Sequence, residues 1–203
     1  MPSGLRIRFI ISDLSDMIQQ LAYLYIRKVF IMLIRAEEAR DRLQIERLLE
    51  SAFHDAEEMA LADTLRDAED VIASLVAEVN GHLHGYILFT RVNIEKDGGG
   101  QIQAASLAPV AVLPESRNMG IGSRLVRQGL AQCEISGYPL TVVLGPTRFF
   151  PRFGFMPACA WGLRCPCPGE SFMVYSRDTA LLQSAAGEVR YPEPFIRLFG
   201  RRA

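Results

Sequence analysis

Arg117, Gly120 and Gly122 lie close together in the stretch Leu107–Leu130, LAPVAVLPESRNMGIGSRLVRQGL. Arginine carries a fixed, planar cation suited to phosphate. The two glycines leave neighbouring backbone N–H groups uncovered by side chains. Leu125, Val126 and Leu130 follow at helical spacing, so the glycines fall where a helix begins. The first N–H groups of a helix have no partner within it and lie at the positive end of its dipole. They therefore suit an anion such as a phosphate. Upstream, Leu107, Val110, Val112 and Leu113, with alanines between them, read as a strand buried on both faces. Pro114 has no N–H to donate and closes that strand. The rest of the chain must position this strand, turn and helix.

Acid–base chemistry has fewer candidates. His82 and His84 follow the Asn80-Gly81 turn at alternating spacing, so they share a strand face. They read either as an acid–base or ligand pair or as exposed edge residues. Glu78, on the strand before the turn, is a further base candidate. Glu57 and Glu58 fall where two early helices would meet and could read the charge of a cationic acceptor. Acids at a helix start are also favoured by the dipole alone. Glu115, beside the glycine turn, reads as structural.

The four cysteines are Cys133, Cys159, Cys165 and Cys167. One residue separates the last two, whereas paired zinc ligands are commonly spaced by about two to four, and no histidine lies nearby. No metal is expected. Cys165 as a nucleophile would need an activating partner, which the sequence does not supply. Reduced thiols in a cytoplasmic protein are the expectation.

The chain of 203 residues is long enough for one domain with a full core. Hydrophobic residues make up 49% and charged ones 22%, with a formal net charge of −1. Such a balance gives no general electrostatic case for nucleic acid or a membrane surface. Residues 1–31 form a separate segment. Leu14, Ile18, Leu21, Tyr25 and Val29 are spaced for a helix, but Asp13, Asp16, Arg27 and Lys28 bracket a run too short and polar to span a bilayer. The segment reads as an accessory helix, as a surface-membrane helix, which its mixed charges disfavour, or as a gene-start artefact. The last is favoured, because Met32 opens a natural beginning, MLIRAEEARD. Residues 32–195 then form the domain, and 196–203 a basic tail.

Within that domain the sequence predicts a strand over Ile31–Arg35 and amphipathic helices over Glu37–Phe53 and Ala56–Ala68. Three strands follow as a meander over Val71–Asn80, His82–Val92 and Ile102–Leu113, with turns at Asn80-Gly81 and Lys96–Gly100. After the glycine turn and its helix comes a short apolar strand, Leu140–Leu144. It should run parallel to the strand at 107–113. Thr147–Phe153 reads as an aromatic turn, Phe172–Tyr175 as a late strand and Val189–Pro194 as a proline-limited extended tail.

This order resembles the GNAT superfamily of acyl-CoA N-acyltransferases. Arg117-Asn118-Met119-Gly120-Ile121-Gly122 matches that family's Q/R-x-x-G-x-G/A signature, and Arg152-Phe153-Gly154-Phe155 its later Gly-Phe corner. The strings VVLGPTRFFPRFGF, GLRCP and VRYP are similar to a YhbS-like bacterial branch. The resemblance implies an α+β fold with a mixed, mostly antiparallel sheet, helices on both faces and a parallel strand pair that splays at the acetyl-CoA site. It implies acetyl-CoA as acyl donor, with the pyrophosphate on Arg117, Asn118, Met119, Gly120, Ile121, Gly122 and Ser123. Val110, Ala111 and Val112 would hold the pantetheine arm. The partner substrate would be a primary amine, of a small molecule or a protein, attacking the thioester directly. Oligomeric state is left open, a homodimer included.

Two features complicate that reading. Many family members carry a tyrosine as general acid where this chain has Phe150, and Tyr138 and Tyr175 do not match that position. Phe149, Phe150, Phe153 and Phe155 read first as an aromatic cluster that packs the corner. A non-catalytic acyl-CoA-binding regulatory module therefore stands as the alternative to an N-acetyltransferase. A dinucleotide fold is excluded because Leu125 occupies the place of the third glycine, and a P-loop because no Gly-Lys-Ser/Thr occurs.

Overall fold

The computed structural model describes residues 32–53, 64–65, 70–165, 170–191 and 195. The chain divides into two units after Met32, and the fold below is that of the second. Residues 1–31, Glu57 and Glu58, Cys167, the tail 196–203 and most of the helix expected over Ala56–Ala68 lie outside the described residues. Thr64 and Leu65 are helical.

The strands are β1 (Met32–Ala36), β2 (Val71–Val79), β3 (His82–Lys96), β4 (Gln101–Val112), β5 (Leu140–Leu144), β6 (Met156–Pro157), β7 (Leu163–Arg164), β8 (Phe172–Ser176) and β9 (Gly187–Arg190). The helices are α1 (Arg42–Ala52), α2 (Ile121–Ile135) and α3 (Thr179–Gln183). The first expected helix is split, a 3-10 turn at Ala39–Asp41 preceding α1. All the strands join one sheet in the order β1-β2-β3-β4-β5-β8-β6. The meander β2-β3-β4 is antiparallel, and β4 and β5 are parallel as expected. Asn80, with φ of 50°, and Gly81, with φ of 84°, turn the first hairpin. Both residue types tolerate that left-handed backbone.

Val189 and Arg190, the first residues of the tail expected to be extended, belong to the sheet, and 192–194 lie outside the described residues. β9 pairs with the far end of β3, Asn93–Lys96, and also with β7. β3 is longer than its alternating pattern suggested, and its extra residues carry this second neighbour.

Alternation along β3 sends side chains to both faces. A Cβ on Gly85 would overlap Ile121 and Leu125, and one on Gly129 would overlap the Phe89 ring. So Gly85 and Phe89 face α2, and the missing side chains let helix and sheet approach. Tyr86 and Leu88 face the other way, into a core with Ile45, Leu48 and Leu49 of α1. The amphipathic stripes of the two helices thus cover opposite faces of the meander, as the resemblance implied.

A charge cluster ties the first strand to that architecture. The Arg35 guanidinium donates to Asp41, at 2.5 and 2.9 Å, and its Nε donates to Glu78 at 2.9 Å. Asp41 also accepts from the Glu38 N–H at 2.8 Å and is only 2% exposed. The Arg35 hydrogen bonds hold the Asp41 carboxyl below its usual range, against the opposing effect of burial. A depressed carboxyl contributes stability that is present above its unfolded value, about 3.9, and is lost as pH falls through the folded value. Asp41→Asn keeps an oxygen for the Glu38 N–H but removes the charge from Arg35. It should lower unfolding stability at pH 7 by about 2–3 kcal/mol, less than for a fully buried pair because Arg35 is part exposed. It should also flatten the acid dependence below pH 4, as urea denaturation at pH 7 and pH 3 would measure.

Candidate functional site

The site begins where β4 and β5 part. Their pairing runs through Ala105–Thr141, Ser106–Val142 and Leu107–Val143 and goes no further. β4 continues to Val112, still paired with β3, and β5 ends at Leu144. Between Leu107 and Val110, β4 spends three residue steps against two of β3, from Phe89 to Ile87. This bulge holds Ala108 and Pro109, joined by a cis peptide bond. An extra residue bends its strand away from the ladder, and Pro109 offers no N–H for pairing. Among the described residues, no strand pairs with the β5-facing edge of Val110–Val112.

A cleft of about 650 Å³ opens along that edge. Its wall runs from Val110, Ala111 and Val112 through Ser116, Arg117, Asn118, Gly120 and Ile121 to Gly122 and Ser123. Of the residues expected to bind cofactor, only Met119 is outside it, with its side chain 47% exposed. Asn118 and Gly120 take left-handed φ of 66° and 80°. No side chain caps α2 at Gly120, and the first backbone bond is Arg124 N–H to Gly120 O at 3.1 Å. The N–H groups of 121–123 are therefore outside the helix's own ladder.

The two glycines serve different ends. Among the described residues nothing lies within 4 Å of where a Gly120 Cβ would stand, and its left-handed φ favours glycine. A Gly122 Cβ would instead enter the cleft, 3.5 Å from both Phe149 and Val112. Both glycines border the cleft, the first with a left-handed backbone and the second beside Phe149 and Val112.

The opposite wall comes from the aromatic turn: Pro146, Phe149, Phe150 and Arg152, with Ala52 and Phe53 at the end of α1. The Arg152 guanidinium lies over the Phe149 ring, 5.1 Å from its centroid, so the cleft carries a second cation. Sequence reasoning missed Arg152 and Phe53, because only the tertiary fold brings them opposite the α2 start, and Ser116, whose partner His84 lies far away in sequence. The one available signal was the position of Arg152 inside the RFGF corner.

Phe150 is 2% exposed and borders both this cleft and a smaller cavity behind it. It packs edge-on to Phe149 and Phe155, with centroids 5.1 and 5.5 Å away. A Cβ on Gly145 would overlap its ring. The aromatic cluster is a packed corner, and the ring at the expected proton-donor place carries no hydroxyl. The tyrosines considered as substitutes are engaged elsewhere. The Tyr138 hydroxyl accepts from Arg91 Nε at 3.0 Å, and the Tyr175 hydroxyl donates to Glu134 at 3.0 Å.

The base candidates separate. Glu78 is ion-paired with Arg35 and does not border the cleft. His82 is exposed. His84 sits at a second irregularity, where two steps of β3 oppose one of β2. Its Nδ1 lies 2.7 Å from Ser116 Oγ, directly behind the cleft wall. Glu115 is exposed on the 3-10 turn Pro114–Ser116. Burial pushes the Cys133 thiol up to about 12. Among the described residues, no group of three His, Cys, Asp or Glu could hold a metal ion.

A mixed sheet with a parted parallel pair, and an uncapped glycine-turn helix at its mouth, are the fold features that the resemblance implied. Residues 34–158 match the Acetyltransferase (GNAT) domain family. The chain is 34% identical to the uncharacterised N-acetyltransferase YhbS of Escherichia coli, over 82% of this chain and 99% of that protein. It is 35% identical to the uncharacterised N-acetyltransferase YjhQ of Escherichia coli over 76% of this chain and 88% of that protein. The crystal structure of Escherichia coli YhbS in complex with CoA superposes with a TM-score of 0.77 at 35% identity, covering 85% of this chain and 97% of that one. A Brucella melitensis GNAT acetyltransferase in complex with acetyl-CoA superposes with a TM-score of 0.68 at 32% identity, covering 82% and 99%. The chain belongs to the GNAT acetyltransferase family.

The His84–Ser116 hydrogen bond fixes the turn that delivers Arg117 to the cleft. His84→Ala should cost about 1 kcal/mol of stability. Amide hydrogen exchange at 115–118 should rise while exchange within α2 stays as in the parent. Unchanged protection at Ser116 and Arg117 would show that the turn does not depend on the imidazole.

Proposed function

We propose that the protein is an N-acetyltransferase that carries the acetyl group of acetyl-CoA to a primary amine by direct attack in a ternary complex. The observation that carries this reading is the continuity of the cleft. An uncapped helix start with Arg117 lies at one end, and an unpaired strand edge leads away from it. A pyrophosphate suits the first, through free N–H groups and a fixed cation. The amides of a pantetheine arm suit the second, as an added strand would. Gly122 leaves the space that a Cβ would fill.

In this reading, backbone N–H groups of Val110–Val112 polarise the thioester carbonyl and stabilise the oxyanion that forms on attack. The amine nitrogen forms the new C–N bond and the C–S bond breaks, with the electron pair leaving on the CoA thiolate. The ammonium proton departs to water or a base on the acceptor side before attack. Phe150 has no proton to give the thiolate, which leaves as the anion while the nitrogen sheds its second proton to water to give the neutral amide. Holding both reactants in line supplies much of the rate. The acceptor is a small-molecule or protein amine. The setting is the cytoplasm, which suits the unbridged thiols of Cys133 and Cys159.

Calorimetry with acetyl-CoA, followed by thiol release against a panel of amines, tests this. Binding together with thiol release on some amine is the expected result. Binding without release on any acceptor would favour a non-catalytic acyl-CoA-binding module, to which the missing hydroxyl at Phe150 lends support. Gly120→Asp places a negative charge beside the anion site and should weaken binding at least tenfold, by like-charge repulsion. Gly120→Asn tolerates the same φ without the charge and should bind within a fewfold of the parent. Equal affinity in the Asp variant would mean that the phosphate site lies elsewhere.

A further inference from the structure

The turn between the strand edge and the α2 start has few donors left to offer. Ser116 N–H donates to Leu113 O at 2.9 Å and Arg117 N–H to Pro114 O at 3.3 Å, so both are spent closing the 3-10 turn. Ser116 borders the cleft and is only 3% exposed. What it can still give is its hydroxyl hydrogen. A hydroxyl carries one hydrogen and two acceptor lone pairs. Among the described residues, the hydrogen-bond partner of this one is His84 Nδ1, at 2.7 Å. The carbonyl of His84 also accepts from Leu113 N–H at 3.0 Å, so backbone and ring together fix that residue to the turn.

The hydrogen between the ring and the hydroxyl has two possible places. With the ring hydrogen on Nε2 alone, Ser116 must donate to Nδ1, and Oγ has only lone pairs left for the cleft. An anion beside them is repelled. With a hydrogen on Nδ1, the ring donates to Oγ and the hydroxyl hydrogen is released for another acceptor. Ser116 directly precedes Arg117, so that acceptor lies at the anion-binding end of the cleft. We propose that Ser116 donates its hydroxyl hydrogen to a phosphate oxygen of the bound donor, and that His84, carrying a hydrogen on Nδ1, is the positioning residue that frees it. This rests on the CoA-binding reading above and deepens it by adding a side-chain ligand upstream of Arg117 and the residue that orients it.

Calorimetry with free CoA and the full chain separates this role from a purely structural bond. A hydrogen bond to a charged group is worth about tenfold in an equilibrium, so Ser116→Ala should weaken CoA binding about tenfold. His84→Ala keeps the hydroxyl but leaves it unoriented, at a cost of about threefold. The double variant should match Ser116→Ala. His84→Asn can place an amide N–H where Nδ1 stands and should recover most of the His84→Ala loss. Were the bond needed only to fold the turn, either single variant would break it and the two would lose affinity equally. Nitrogen NMR of the parent's CoA complex gives a second reading that needs no variant to fold: Nδ1 of His84 should carry a hydrogen. A bare Nδ1 in that complex, equal losses in the two single variants, or parent-like affinity in Ser116→Ala would overturn the proposal and leave the CoA reading intact. Failure of CoA to bind the parent would overturn the two together.

Discussion

The parting of β4 from β5 after Leu107 is the constraint on which the site depends. A parallel pair inside a sheet ordinarily stays paired, because an unpaired backbone N–H or C=O away from water costs about as much as a lost hydrogen bond. Here the ladder stops at Leu107–Val143. The bulge at Ala108–Pro109 bends β4 away, and Phe150 packs against Gly145 beyond the end of β5. The gap is thus flanked by close-packed groups on both strands. β3 runs unbroken past it and keeps β4 in place on its other edge, while β8 does the same for β5. The sheet can open locally because it is closed elsewhere.

Charge is distributed so that the mouth of this opening is positive. Arg117 and Arg152 border the cleft. Several carboxylates of the described chain are held by other cations: Asp41 and Glu78 by Arg35, Glu134 by Arg177, Asp97 by Arg164 and Glu95 by Arg190. The exposed pairs among these contribute little to stability. Their consequence for the site is that their negative charge sits beside partner arginines and not at the α2 start.

The inner end of the cleft is chemically quiet. Phe150 replaces a hydroxyl with a packed ring, and Tyr138 and Tyr175 spend their hydroxyls on Arg91 and Glu134. A polar network does approach from behind. Tyr86, fully buried and opposite Ala111 in the ladder, places its hydroxyl 3.1 Å from Ser74 Oγ and 3.3 Å from Glu37 Oε2. Ser74 also donates to Glu37. Each hydroxyl has one proton to give, and both reach the same carboxylate oxygen, which fixes Tyr86 against the α1-side core. The cleft is therefore polar where an anion would sit and apolar where strands part.

Local physical rules were enough for the sequence to determine the meander, the parallel strand at Leu140–Leu144 and the glycine turn before α2. Alternation, the Asn80-Gly81 turn, Pro114 and helical spacing each act within a few residues, so each can be read along the chain. The residues of the turn that border the cleft were legible for the same reason: they are nearly consecutive. The pairing of β9 with β3 was not, because VRYPEP shows prolines but not the strand that will meet it. Nor were the facing wall of Phe53 and Arg152, the link from His84 to Ser116 and the engagement of Glu78 by Arg35. Those contacts join residues far apart in sequence, whose meeting depends on how helices and strands pack. Only the tertiary structure decided that β4 and β5 separate at Leu107, because the separation requires β3, β8 and the Phe150 corner to hold the two strands in place at once.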